Sequence, residues 1–334
     1  MNFAGPWPIT YRLIGNNPAL AREMTALLNA CGFLPAGNEK PRLTVMVFPP
    51  GEPDASHWRT EPVLQWRGLS VQKQQQKILF SYRSWALELD VRTSTFRCGG
   101  PDPGPGETLG FKEFFLLTPL LFLMHRFGYF ELHAAGCAYE DSGYLLLGAS
   151  GSGKTTATLS LIASGWKYLS DDAMFVSTDP KGSIAARPLR RSFSVKPDHL
   201  ERHPELVEYA TELVPASSKR RFDPRQVWPE QYAPVTEPRF IIACNVAEEE
   251  PTTITPLSRA ESLARLVGST PWLMFDQETA SAHLGIFRSL AAKCFGFELK
   301  AGRELFRNGS QLSSLIAPEA LRQKWFSMKD EKWA

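Results

Sequence analysis

The chain has 334 residues, 43% of them apolar and 22% charged, with a net charge of +2. That is an ordinary globular composition, long enough for two domains, and so small a charge excess gives no general attraction to nucleic acid or to an anionic membrane. Five cysteines, at 31, 98, 137, 244 and 294, form no CxxC pair, which argues against a disulfide framework or a thiolate zinc site and for a reducing compartment.

The opening MNFAGPWPITYR has no charged segment leading into an apolar one, so no secretory signal is expected and the cytoplasm is the expected location. PALAREMTALLNACG (18–32) has helical spacing, with Asn17 as cap, Pro18 in the first turn and a glycine stop. RLTVMVF, LQWRGLSVQ, KILFSYR and WALELDVRTSTFRC follow as strand-forming runs broken by polar turns. Residues 1–98 therefore read as a smaller mixed α/β domain without a chemical motif, its Trp58, Trp66 and Trp85 serving as packing groups. GGPDPGPGE at 99–107 suits no regular element and opens a linker over 99–109. FFLLTPLLFLM (114–124) is too short to span a bilayer and contains Pro119, so a buried helix over about 110–127 is expected, with no membrane partner.

The second domain, 110–320, carries the chemistry. YLLL (144–147) precedes GASGSGKT (148–155), and a helix from Lys154 to Ser164 follows, stopped by Gly165. This is the phosphate-binding pattern G-x-x-x-x-G-K-[ST] in its strand–loop–helix setting. Gly148, Gly151 and Gly153 let the backbone of Ala149, Ser150 and Ser152 curl so that successive N–H groups face one centre. Lys154 supplies charge for the terminal phosphates, Thr155 a hydroxyl for magnesium, and Thr156 belongs to the same nest. Nucleotide binding is the expected property.

WKYLSDD forms the next strand, crossing over to lie parallel to the first in one sheet, so that Asp171 and Asp172 fall at the same carboxyl end as the loop. One carboxylate is then expected on magnesium and the other as base for a hydroxyl. The later strand PRFIIACNVA (238–247) offers Cys244 and Asn245 where other nucleotide hydrolases place a carboxylate, and no NKxD or LSGGQ segment is present. HAAGCAYE and YLLLGAS flank the turn signal EDSG as a hairpin. A turn on Asp141–Ser142 sets His133 opposite Ser150, and one on Ser142–Gly143 sets it opposite Ser152. Either register brings the imidazole to the loop.

AMFVSTDPKGSIAARPL reads as a hairpin about Asp179, Pro180, Lys181 and Gly182. Arg187, Arg190 and Arg191 at its end, and Lys219, Arg220 and Arg221 further on, are candidates to hold transferring phosphate or an acidic acceptor. No aromatic platform accompanies them, so RNA is not an expected partner. Ser258 and Glu261 form a capping box ahead of a helix ending near Gly268; Thr270-Pro271 opens another helix, and CFGFELKAG is a last strand. The tail MKDEKWA is expected to be loose.

Taken together, His133, GASGSGKT and Asp171-Asp172 resemble the catalytic domain of the HPr kinase/phosphorylase family, especially its HPr-kinase-related branches. The likeness covers about residues 130–178. That family has a histidine 21 residues before the loop lysine and an aspartate 18 residues after it, the spacings of His133 and Asp172 about Lys154. The resemblance implies an α/β fold: a P-loop kinase core of the phosphoenolpyruvate-carboxykinase type, here with the smaller N-terminal domain. It implies ATP and Mg2+, Lys154 on the phosphates, Thr155 toward metal, Asp172 as the base, and His133 at the acceptor side; of the carboxylate pair, that leaves Asp171 as the one expected on magnesium. The acceptor it implies is a hydroxyl, serine foremost, of a protein, peptide or small molecule, and the assembly it implies is a homo-oligomer. The family's second metal-binding glutamate, 25 residues past Asp172, falls on Pro197, with Asp198 and Glu201 nearby. That departure raises the alternative of a nucleotide-binding regulatory or scaffold module with little turnover.

Overall fold

A computed structural model describes residues 9–103, 111–179, 182–190, 192–214, 217–247, 251–270, 276–302, 305 and 309–332. The turn residues Pro180 and Lys181, Arg191 and Pro271 lie outside them. The chain divides into two compact units, 1–127 and 128–334, both α/β.

In the first unit the strands are β1 (Thr10–Gly15), β2 (Leu34–Pro35), β3 (Leu43–Phe48), β4 (Leu64–Trp66), β5 (Leu69–Gln74), β6 (Lys77–Tyr82), β7 (Trp85–Asp90) and β8 (Thr95–Gly99). They form one sheet in the order β2-β1-β3-β8-β7-β6-β5-β4. Helix α1 (Pro18–Ala30) starts as its sequence predicts: the Asn17 side chain accepts from Leu20 N at 3.1 Å and donates to the Phe48 and Gly100 carbonyls at 3.0 Å. LQWRGLSVQ is a hairpin and not one strand, because Arg67 and Gly68 both take positive φ (48° and 85°) and reverse the chain. Trp85 is buried and packs on Phe111 with ring centroids 4.9 Å apart; Trp58 and Trp66 are only half-buried.

Helix α2 (Leu117–Arg126) follows a π-helical turn over Phe111–Leu116. Pro119 has no N–H to donate to the carbonyl one turn earlier, which is where a widened turn costs least. Phe122 of α2 meets Phe80 of β6 edge-on, with centroids 5.3 Å apart. That packing places the helix with the N-terminal sheet, so the division falls after Phe127 and not in the 99–109 segment. Among the described residues, no helix is long and apolar enough to cross a membrane.

The second unit begins with β9 (Phe130–Leu132), β10 (Ala134–Tyr139) and β11 (Ser142–Leu147), then helix α3 (Lys154–Ala163) and β12 (Lys167–Ser170). Next come β13 (Met174–Thr178), β14 (Ile184–Pro188), β15 (Phe193–Val195), α4 (Pro197–Arg202), β16 (Glu212–Leu213), β17 (Arg220–Phe222) and β18 (Pro238–Val246). It closes with β19 (Thr253–Leu257), α5 (Arg259–Gly268), α6 (Gln277–Lys293), β20 (Phe295–Ala301), α7 (Gly309–Leu315) and α8 (Pro318–Lys332). The central sheet has the order β12-β10-β11-β18-β20-β19, with β11, β18 and β20 parallel. β13 and β14 pair as the expected hairpin and, with β9, make a second small sheet; β15, β17 and β16 make a third. The tail is helical to Lys332, not loose.

β11 is buried along its whole length, as a strand covered on both faces must be. Its residues alternate between two cores. Leu145 and Leu147 pack with Leu266 of α5 and Ile286, Phe287 and Leu290 of α6. Tyr144 and Leu146 pack with Leu161 of α3, Trp166, and Leu312, Ile316 and Leu321 near the C terminus. The polar tips in that second core are satisfied: the Tyr144 hydroxyl donates to Ile316 O at 3.0 Å, and Trp166 Nε1 donates to Ser313 Oγ at 2.8 Å.

The β10–β11 hairpin follows neither expected register. Tyr139 pairs with Ser142, so Glu140 and Asp141 are the turn residues, Glu140 at φ 50°. Gly143 is spent on another constraint: its N–H donates to Glu237 O at 3.0 Å, and a Cβ there would sit 2.6 Å from that oxygen. It is needed inside the strand and is unavailable for the turn. β12 pairs antiparallel with β10, which itself runs antiparallel to β11. β12 and β11 therefore run the same way in one sheet, as expected, with β10 between them.

Candidate active site

Because β11 and β12 point the same way, the loop after Leu147 and the carboxylates after Ser170 emerge at one end of the central sheet. The loop is built on glycine. Gly148, Gly151 and Gly153 adopt φ of 149°, 87° and 89°. A Cβ on Gly148 would collide with Ser152 Oγ and lie 2.7 Å from Cys244 O, so position 148 admits no side chain. Gly153, in the left-handed region, turns the chain directly into α3.

The loop borders a cleft of about 1210 Å³ lined by residues 149–156 together with His133, Asp172, Ser194, Lys196, Asp198, His199, Arg202, His203 and Lys219. Lys154 is 6% exposed and folds back on the loop, donating from Nζ to Gly148 O at 2.6 Å and Ala149 O at 3.2 Å. Burial lowers its pKa, and the charge of Asp172 partly restores it. Nζ also lies 3.3 Å from His133 Nε2, while His133 Nδ1 lies 3.3 Å from Asp172 Oδ1.

Burial lowers the His133 pKa; Asp172 opposes this, and Lys154 and Arg190 add to it. A neutral ring between an ammonium and a carboxylate has one consistent tautomer: Nε2 accepts from Lys154, and Nδ1–H donates to Asp172. Lysine, imidazole and one carboxylate are thus joined in a single line at the edge of the cleft.

The second carboxylate goes elsewhere. Asp171 is 3% exposed and absent from the cleft wall, and its Oδ2 accepts the Ser194 N–H at 3.0 Å. The expectation of Asp171 as a catalytic or metal-binding group is corrected on this point. In the bend after β12 the two carboxylates part, Asp171 toward β15 and Asp172 toward His133 at the phosphate loop. Asp171 instead anchors β15, whose Ser194 lines the cleft.

Burial, and then the negative charge of Asp172, raise the Asp171 carboxyl from 3.8 to about 7. A raised carboxyl favours the protonated folded state, so its contribution to stability is complete below about 4, declines with rising pH and is gone above about 7. Asp171→Asn retains an acceptor for Ser194 N–H but cannot ionise. Denaturant titrations should therefore show wild type losing stability relative to Asp171→Asn between about pH 4 and 7; a difference independent of pH contradicts the assignment.

Of the basic candidates among the described residues, Lys219 alone lines the cleft, with its charge felt by Lys154 and Asp171. Arg190 is close enough to His133 to depress its pKa but is not part of the wall. Arg187 lies on β14, 3.4 Å from Ser177 Oγ, and Arg221 lies on β17, 3.5 Å from Glu212 Oε1; neither they nor Arg220 reach the cleft. Cys244, on the strand beside β11, is buried with its thiol pushed up to about 12, so no anion stands there.

The sequence reading passed over Ser194, Lys196, His199, Arg202 and His203. They come from β15, α4 and the turn after it, a short strand and a six-residue helix with no motif. The one available signal was Asp198 beside the expected glutamate position, and Asp198 does line the cleft.

No model of a protein family matches the chain, and no curated protein matches it. Among solved structures it is similar to the Hpr(Ser) kinase/phosphatase from Coxiella burnetii, at 11% identity over 58% of this chain and 97% of that chain. The TM-score is 0.31, a degree of likeness that decides neither fold nor activity.

Proposed function

We propose that this protein is an ATP- and magnesium-dependent phosphotransferase that moves the γ-phosphoryl group to a hydroxyl, serine foremost, on a protein, peptide or small molecule. The observation that carries the reading is the line Lys154–His133–Asp172 at the mouth of a glycine loop. The resemblance to HPr kinases rests on these same residues.

In this reading the loop N–H groups and the start of α3 hold the phosphates. Lys154 exchanges its two carbonyl contacts for the terminal phosphate oxygens. Neutral His133 donates Nδ1–H to Asp172 Oδ1, which fixes that carboxylate and leaves Oδ2 open toward the cleft. Oδ2 takes the proton of the acceptor hydroxyl as its oxygen bonds to the γ-phosphorus and the bond to the bridging oxygen breaks. ADP leaves with the released negative charge, which Lys154 and Lys219 offset.

The oxygen donors on the cleft wall that the base step does not use, the Thr155 hydroxyl and the Asp198 carboxylate, suit a hard divalent cation. Bound magnesium would neutralise phosphate charge there. Asp198 stands in for the glutamate missing at Pro197, and it is held by Arg202 at 2.9 Å.

Incubation with γ-labelled ATP, magnesium and serine-bearing acceptors tests the proposal, the expected product being an acid-stable phosphoserine. Tight ATP binding with neither transfer nor hydrolysis, across metals and acceptors, would favour the scaffold alternative.

A further inference from the structure

His199 is a buried imidazole that the mechanism above does not use. It sits in α4, which follows β15, and is only 6% exposed. Both ring nitrogens are engaged: the backbone N–H of Lys196 donates to Nδ1 at 3.0 Å, and Nε2 lies 2.8 Å from Thr156 Oγ1.

A backbone N–H can only donate, so Nδ1 must be unprotonated and Nε2 must carry the hydrogen. The Asp198 oxygen 3.9 Å from Nδ1 is consequently no ion-pair partner. Nε2–H then donates to Thr156 Oγ1. With that oxygen accepting from one side, the Thr156 hydroxyl proton is turned away from the ring, and Thr156 lines the cleft.

The cleft has a direction. Lys154, His133 and Asp172 mark one end. Thr156, Ser160 and Ala163 also line it, and their spacing puts them on one face of α3, running away from Lys154. A nucleotide with its reacting phosphate at Lys154 must lay the rest of its length along that face, where Thr156 comes first.

We infer that His199 is a positioning residue whose fixed tautomer makes the Thr156 hydroxyl a hydrogen-bond donor to the phosphate next to the nucleoside, with the nucleoside beyond it between α3 and α4. This rests on the proposed nucleotide reading and adds the polarity of the bound nucleotide and a second anchor for it.

The test is direct binding of ATP and ADP to the full chain, alongside melting without nucleotide. Thr156→Val removes the donor at nearly constant shape and should weaken both nucleotides alike, by about tenfold, the worth of a hydrogen bond to a charged group. Thr156→Ser should restore binding. His199→Ala should weaken binding several-fold in the wild-type background and add nothing in Thr156→Val, because the two act as one unit. Wild-type affinity in Thr156→Val, or equal losses from His199→Ala in both backgrounds, overturns the inference while leaving the phosphotransferase reading intact. Failure of the wild-type protein to bind either nucleotide overturns both.

Discussion

Asp172→Asn is expected to slow phosphoryl transfer by roughly 10²–10⁴-fold, the usual contribution of a positioned general base. The substitution preserves shape, and an amide oxygen can still accept the Nδ1–H of His133, now 3.3 Å from the carboxylate. What disappears is a basic oxygen facing the cleft. ATP affinity should change by no more than a few-fold, since the proposed mechanism sets Asp172 against the acceptor and not the bulk of the nucleotide. Single-turnover transfer and equilibrium binding, measured on the same preparation, separate the two quantities. Transfer at the wild-type rate would remove Asp172 from the mechanism.

Lys154→Met should act on both. The ammonium is a buried charge between two loop carbonyls and an imidazole. Its loss removes a charge-assisted bond to the terminal phosphate, expected to cost about 10- to 100-fold in ATP affinity. Loss of a group that stabilises developing charge should lower turnover by a further 10²–10³-fold. Calorimetric titration with ATP and ADP, with the transfer assay at saturation, reads both effects. Unchanged ATP affinity in Lys154→Met would place the phosphates outside the glycine loop.

The contrast between these variants and Asp171→Asn follows from what local sequence can encode. The loop was legible because its chemistry is contiguous: three glycines with positive φ, a lysine and a helix start lie within eight residues. The parallel run of β11 and β12 was legible from strand, helix, strand, although β10 between them was not. Pairing in the β10–β11 hairpin was misjudged because Gly143 looked like a turn residue, while its real constraint is the Glu237 carbonyl on a distant segment.

Which of two adjacent aspartates faces the cleft depends on Ser194, 23 residues along the chain from Asp171. No pattern in SDD carries that information. The α4 wall was invisible for a similar reason, since His199 acquires its meaning only from Thr156, 43 residues away. Helix α2 likewise was assigned to the other unit, because a mostly apolar helix does not say which sheet it covers.

The most direct test of the central claim is a crystal structure with magnesium and a non-hydrolysable ATP analogue. The γ-phosphate should lie within about 3.2 Å of Lys154 Nζ, a normal hydrogen-bond distance, with a carboxylate oxygen of Asp172 facing it and His133 still bonded to that carboxylate. A nucleotide bound away from the glycine loop, or an Asp172 turned from the γ-phosphate, would contradict the phosphotransferase account.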